Sequence, residues 1–264
     1  MNEIMQHLLV SLLASTLLAA TAVVGKALTK AALILAWSCA VVITFCGGLS
    51  SFAILAATFF FTVLAGKIGR HRRAFEKQIH AKSGKRDVVQ IFCNVGLGTV
   101  LLAVGAVLRD SRFLQVYAAV MAASLADSMA SELGVLSKGD PIDLCTMKKT
   151  PRGLSGGVSL LGLCSSLLGA AVIAAVYAIG KPWDISVLLQ ITLCGFAGAL
   201  VDSIFGSLLQ VKYRCSVCGI LTEKTAHCNQ PTERVRGCRS ITNDTVNFMS
   251  NVTVGILALF LFLR

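Results

Sequence analysis

The sequence predicts an all-α fold: a polytopic bundle of about eight transmembrane helices, forming a single membrane domain over residues 1–264. Three observations carry this reading. The 264 residues are 55% hydrophobic and only 14% charged, with a mean hydropathy of +0.77. The apolar residues gather into runs of about 20, long enough to cross roughly 30 Å of hydrocarbon. The Lys and Arg residues crowd into alternate connections between those runs. In lipid the backbone has to satisfy its own hydrogen bonds, which selects helices as the spanning form.

The runs fall at 4–25, 29–47, 49–66, 87–108, 113–136, 154–179, 184–210 and 245–263. The first is read as a retained helix, because Asn2 and Glu3 stand where a signal peptide carries basic residues and no clear cleavage site follows. Gly47-Gly48 divides the second run from the third with almost no loop. The connections after runs one, three, five and seven hold 2, 8, 4 and 6 cations, together 20 of the 24. Positive residues resist translocation, so these connections are expected in the cytoplasm and both termini outside. The expected location is therefore an integral membrane one, in the plasma membrane of a prokaryote.

The +11 net charge is a directed field along one membrane face, and nucleic acid is not an expected partner. Its densest part, Lys67 to Arg86, suits anionic lipid headgroups, with a share in drawing anionic substrates to the face.

Polar residues form stripes inside the spans. Asp87, Gln90 and Asn94 share one helical face, as do Ser124, Asp127, Ser128 and Ser131, with Glu132 beside them. Gly195, Gly198, Asp202 and Gly206 form a third stripe, and Asn243, Asn247 and Asn251 a fourth, flanked by Asp244. Small and polar residues commonly glue membrane helices together. Carboxylates in lipid, however, need a cation, a proton or water, and usually mark a site. The topology puts Asn94, Asp127, Glu132, Asp202, Asp244 and Asn247 at similar depth under the basic face.

The connection before run six adds cations and flexible residues: Lys148, Lys149 and Arg152, then Ser155, Gly156 and Gly157 at an expected helix start. Exposed N–H groups and a helix N-terminus suit phosphate oxygens. It is not a Walker motif. Carboxylates able to hold Mg²⁺ beside a phosphate site suggest phosphoryl or nucleotidyl transfer. A transporter of a phosphorylated or anionic solute is the competing class, disfavoured because the acids lie at one depth and no inverted repeat is evident.

Five segments together resemble a known family: Lys85-Arg86-Asp87 through Asn94, Ala126-Asp127 through Gly134, Ser155-Gly156-Gly157-Val158-Ser159, Val201-Asp202-Ser203, and Asn243-Asp244 through Asn247. In this order they are similar to the membrane proteins grouped as domain of unknown function 92, which include animal transmembrane protein 19 and a plant phytyl phosphate kinase. The resemblance implies a kinase converting an isoprenyl monophosphate, of phytyl, geranylgeranyl or polyprenyl type, to the diphosphate with a nucleoside triphosphate, CTP among the candidates. A lipid cytidylyltransferase is the second enzymatic reading. Carried over, Asp127, Asp202 and Asp244 become catalytic or metal-binding carboxylates, with Mg²⁺ held by Asp127, Asp202 and Glu132. Asn94, Lys148, Lys149, Arg152, Ser155, Gly156, Gly157 and Asn247 become the phosphate-binding set. The chain reads Thr150-Pro151-Arg152-Gly153-Leu154-Ser155 where many members have Pro-x-Gly-Thr-Ser, which removes one hydroxyl from that set.

Ten cysteines remain to be placed. Cys39, Cys46, Cys93, Cys164 and Cys194 sit in spans, where Cys serves as a small apolar residue, and Cys145 stands alone in a connection. The last basic loop, 211–243, contains Cys215-x-x-Cys218-Gly219, His227-Cys228 and Cys238, a zinc-knuckle shape on a reducing side. Its expected occupant is a structural Zn²⁺ on Cys215, Cys218, Cys228 and either His227 or Cys238, folding the loop over the site.

Overall fold

Helix α4 (Phe113–Gly134) is the hub of the fold in the computed structural model, which describes residues 3–69, 79 and 84–264. Every side chain from Val116 to Ala126 is buried. Around it pack α2 (Lys30–Ile68), α3 (Val88–Leu108), α5 (Leu160–Ala178), α6 (Ile185–Leu208) and α7 (Asn243–Phe262). Small residues set how closely these helices approach. A Cβ added at Gly195 would lie 2.7 Å from the Cβ of Ala122, and one at Gly198 would lie 2.5 Å from that of Ala123. Between membrane helices the attraction is packing rather than the hydrophobic effect, so such close backbone contact is itself the adhesive. The opposite surfaces carry exposed Leu17, Ile34, Val107 and Leu160, the faces that lipid would cover.

Helix α1 (Glu3–Val24) packs on α2, where Trp37 Nε1 donates to Thr16 Oγ1 at 3.2 Å. Helix α2 is broken at Gly48, whose φ of 70° and ψ of −168° are open only to glycine without strain. Ser51 Oγ donates to Ile43 O at 2.8 Å. Eight residues of straight helix would separate those positions by about 12 Å. The chain therefore folds back at Gly48, at the boundary expected from Gly47-Gly48. Among the described residues seven helices are long and apolar enough to cross a membrane, the folded-back α2 being one of them.

The bundle is tied at both ends by hydrogen bonds between its elements. Thr29 N–H donates to Arg86 O and Arg86 N–H to Ala27 O, tying the start of α2 to the start of α3 at one end. At the other end Arg112 Nη1 donates to Leu263 O. Most of the Lys67–Arg86 run falls outside the described residues.

The all-α expectation is corrected by two small antiparallel sheets. Strand β1 (Ile142–Asp143) pairs with β2 (Gly157–Val158). In the 211–243 loop, β3 (Lys212–Cys215), β4 (Leu221–Thr222), β5 (Ala226–His227) and β6 (Gln230–Arg236) run in the order β4-β3-β6-β5. Turn chemistry explains the second sheet. Gly219 takes φ 72° behind the Cys215–Cys218 turn, while Cys228 and Asn229 both have positive φ, as a two-residue hairpin loop of the primed kind demands. Thr222 Oγ1 and Glu223 N–H both donate to Ile79 O at 2.8 Å, which ties the sheet to the preceding basic stretch.

Candidate functional site

The bundle forms a partly open cavity of about 1040 Å³ beside the hub helix. Its polar end is built by four helix segments and one loop. Gln90 and Asn94 come from α3, Asp127, Ser128, Ser131 and Glu132 from α4, Asp202 and Ser203 from α6, and Asn243 and Asn247 from α7. The loop supplies residues 152–159, and Lys26, Lys67, Lys85 and Arg86 line the same space. From this end an apolar arm runs between α1 and the two limbs of α2, past Leu18, Ala22, Ala36, Trp37, Leu55 and Phe59.

Asp127 and Asp202 face one another within hydrogen-bonding reach, with the Arg86 guanidinium close enough to Asp127 to interact electrostatically. Asp202 Oδ2 accepts from Ser250 Oγ at 3.2 Å and, with the Asn247 amide turned nitrogen-inward, from Asn247 at 2.9 Å. That orientation also lets Asn247 donate to Asn243 O at 3.1 Å. Two carboxylates so close require a cation or a shared proton between them. Their donor type and their place on a cavity wall fit a divalent oxygen-seeking ion such as Mg²⁺, which takes one or two carboxylates and leaves its other positions to water and phosphate.

Other polar residues of the stripes do structural work. Helix α3 widens to a π-helical turn at Phe92–Gly96. The main-chain carbonyls of Cys93 and Asn94 accept from Asn251 Nδ2 at 3.0 Å and Ser124 Oγ at 2.8 Å. Asp87 caps α3 reciprocally with Gln90.

The Ser155 loop departs from its expected geometry. Helix α5 begins at Leu160 under a Ser159 cap, whose Oγ accepts from Gly162 N–H at 3.1 Å. The chain first has to make the β2 pairing and the turn at Gly156, so Ser155 lies ahead of the helix instead of at its start. Ser155 N–H donates to Glu223 Oε1 at 3.2 Å, and Ser155 Oγ makes a short hydrogen bond to the same oxygen. Gly157 N–H goes to Leu154 O. Gly156, at φ +87°, lies against α6, where a Cβ would come within 2.6 Å of Ser207 N and Cα. These glycines seat the loop on α6, and two of the N–H groups expected to hold phosphate are already engaged.

The expected site residues thus divide. Asn94, Asp127, Glu132, Arg152, Ser155, Gly156, Gly157, Asp202 and Asn247 all line the cavity. Asp244 is buried but off its lining: with Asn243 and Asn247 facing inward, residue 244 is turned about 100° away on the helix. Lys148 and Lys149 are exposed and also off the lining, because Asp143 N–H pairs with Lys148 O in the tight turn after β1.

Three residues beyond the expected set become prominent. Arg86 supplies the cation beside Asp127. Glu223, 7% exposed, is delivered from the sheet. Asp143 is buried in the loop, accepting from Ser207 Oγ at 2.6 Å, with Arg236 and Lys212 at 3.5 and 4.0 Å. Burial works against the Asp143 carboxylate, but the Ser207 hydroxyl, two backbone N–H groups and Lys212 hold its pKa below the ordinary value. Arg86 had a signal in the Lys85-Arg86-Asp87 segment and Glu223 in its place just after the first cysteine pair, whereas Asp143 had none.

In the sheet, Cys215, Cys218, His227 and Cys228 bring their four ligand atoms within 4.8 Å of one another. His227 offers Nδ1, at 3.4 Å from Cys218 Sγ and 3.2 Å from Cys228 Sγ. Cys238 is outside this group, held at the base of the loop by its N–H to Leu209 O. The backbone N–H of Cys218 brings the Cys215 thiol down to about 6, whereas the neighbouring Cys218 and Cys215 sulfurs push Cys228 up to about 11. A three-Cys, one-His set at such separations fits tetrahedral Zn²⁺.

Comparison with known proteins agrees with the resemblance read from the motifs. The family model described as integral membrane protein DUF92 matches residues 13–255. Protein PGR of Arabidopsis thaliana is 26% identical over 241 residues, 81% of this chain and 82% of its own length. An uncharacterized membrane protein of Methanocaldococcus jannaschii is 30% identical over 173 residues, 65% of this chain and 70% of that protein. Another from Synechocystis is 26% identical over 182 residues, covering 67% and 70%. No solved structure matches the chain. The chain belongs to the DUF92 family of integral membrane proteins.

Proposed function

We propose that this protein is a membrane-embedded kinase that converts an isoprenyl monophosphate to its diphosphate with a nucleoside triphosphate, CTP among the candidates. The observation that carries the reading is a cavity with facing Asp127 and Asp202 at its polar end and an apolar arm between α1 and α2. Such a space suits an amphiphile whose charged head must meet a water-soluble co-substrate. The basic connections lie at the cytoplasmic face in this reading, both termini lie outside, and the fold-back at Gly48 makes eight crossings. The membrane is the plasma membrane of a prokaryote.

A monophosphate oxygen attacks the γ-phosphorus, the bond to the β-phosphate oxygen breaks, and the nucleoside diphosphate departs. The attacking oxygen belongs to a group whose second pKa is about 6, so it is already anionic and requires no protein base. This makes the absence of Asp244 from the cavity wall no obstacle. Asp127 and Asp202 would hold Mg²⁺, with Glu132 nearby; the ion supplies charge neutralisation at the transferring phosphoryl group. Asn247 and Ser250 fix the Asp202 carboxylate. Arg86, Lys67, Lys85 and Arg152 offset the negative charge of the phosphates, and Asn94 lines their approach. The apolar arm holds the tail, fixing the head at the depth of the acids.

Detergent-purified protein, given γ-labelled nucleotides and a panel of prenyl monophosphates with Mg²⁺, should yield labelled prenyl diphosphate. A CDP-lipid with pyrophosphate would make it a cytidylyltransferase instead. Transport of an anionic solute by reconstituted protein, without chemical change, would replace the enzyme by a carrier.

A further inference from the structure

The phosphoryl-transfer reading assigns no task to the sheet of the last loop, although that sheet sends one carboxylate to the Ser155 loop, which lines the cavity. Glu223 follows β4 immediately and is five residues beyond Cys218. Its Oε1 takes both the N–H and the hydroxyl of Ser155, and Ser155 Oγ also lies 3.4 Å from Asn243 Oδ1. Glu223 also interacts electrostatically with Asp202 and with buried Lys212. One acid of the sheet therefore touches the loop that closes the cavity and influences the carboxylate pair inside it.

What holds Glu223 there is a small structure with little core of its own. Strand β4 is two residues long, paired through Tyr213↔Thr222 and Arg214↔Leu221. The turn before it is Cys215 to Gly219, closed by Gly219 N–H to Cys215 O at 2.9 Å and Cys215 N–H to Ile220 O at 3.0 Å. Cys218 and Cys228 are exposed, and most β6 side chains face out. A four-residue cluster of sulfur and imidazole joins this turn to the tip of the β5–β6 hairpin. In small units of this kind, metal binding and folding are the same event.

We propose that Cys215, Cys218, Cys228 and His227 Nδ1 bind one Zn²⁺, and that the ion's task is to seat Glu223 on the Ser155 loop. The metal pins the β3–β4 turn to the β5–β6 hairpin, which fixes β4 and so the direction of the Glu223 side chain. Through it a site on the soluble face sets the order of residues 153–157, which wall the cavity. Zinc supply or thiol oxidation thereby acts on the membrane site without a ligand entering it. Cys238 takes no part.

The test needs no catalytic assay. Metal analysis of reduced, purified protein should give about one zinc per chain. Hydrogen exchange is then followed on the same folded protein before and after a zinc-selective chelator. Removal should quicken exchange across 150–157 and 220–224 by roughly tenfold or more, while α4 stays protected. Glu223→Ala should quicken exchange in 150–157 alone and retain its zinc; Cys238→Ser should change neither. Chelation of the wild type gives the answer even where a Cys218→Ser/Cys228→Ser variant fails to fold. Less than half a zinc per chain, iron in its place, or a Ser155 loop indifferent to both zinc removal and Glu223→Ala would overturn the proposal.

Discussion

Asn251 and Asn247 lie one turn apart on α7 and point the same way, yet they belong to different regions of the molecule. Asn251 is buried against α3 and α4, donating to Cys93 O and to Ser124 Oγ, both at 3.0 Å. Asn247 lines the cavity and reaches Asp202. Helix α4 carries both roles on one face: Ser124, at the edge of the cavity lining, bonds to Asn94 O, and three residues on Asp127 meets Asp202. Polar stripes thus change meaning with depth. In the middle of the bundle Asn251 and Ser124 are matched by their neighbours and act as glue. At the polar end of the cavity the carboxylates of Asp127 and Asp202 face each other beside open space.

If that contrast is right, the close contacts of α4 and α6 should respond to bulk and the cavity to charge. Gly198→Leu forces a side chain into a gap already 2.5 Å from the Ala123 Cβ. It should cost about 3 kcal/mol or prevent assembly, seen as lost thermal unfolding in detergent and aggregation on size exclusion. Asp143→Ala strands buried Lys212 and should cost about 2 kcal/mol, freeing the loop and sheet to exchange faster. Since the folded Asp143 pKa is below its unfolded value, its stabilisation is present at neutral pH. It is lost as pH falls through the folded pKa, so wild type and Asp143→Asn should converge in stability in acid. Asn251→Leu removes two hydrogen bonds within the glue and should cost about 1 kcal/mol. It should leave any turnover nearly unchanged; a large loss of turnover at normal stability would place Asn251 in the site and blur the division.

Much of this was readable from the chain. Hydropathy pointed to the helices, since lipid imposes a strong and simple rule on them. The break at Gly47-Gly48 and the convergence of Asn94, Asp127, Asp202 and Asn247 follow from helical periodicity combined with topology. The sequence was less informative where the chain is short and irregular. The helix start expected at Ser155 moved to Leu160, because the β2 pairing competes for those residues. Asp244 flanks the asparagine stripe and is grouped with Asp127 and Asp202 by the family resemblance, but a 100° step from Asn243 turns it off the wall. Glu223, Asp143 and Arg86 could not be assigned because their neighbours lie 68, 64 and 41 positions away in the chain, in Ser155, Ser207 and Asp127.

The most direct test of the central claim compares Mg²⁺-dependent prenyl-phosphate phosphorylation by wild type, Asp127→Asn, Asp202→Asn and Asn251→Leu, each shown to insert and fold. Asparagine keeps the size and hydrogen-bonding capacity of these aspartates and removes only the charge. Both Asn variants should fall by about 10²-fold or more, as for the loss of one electrostatic stabiliser, while Asn251→Leu stays near wild type. Near-normal turnover in Asp127→Asn and Asp202→Asn would mean that the facing carboxylates are glue like their neighbours, and the account of the site would fail.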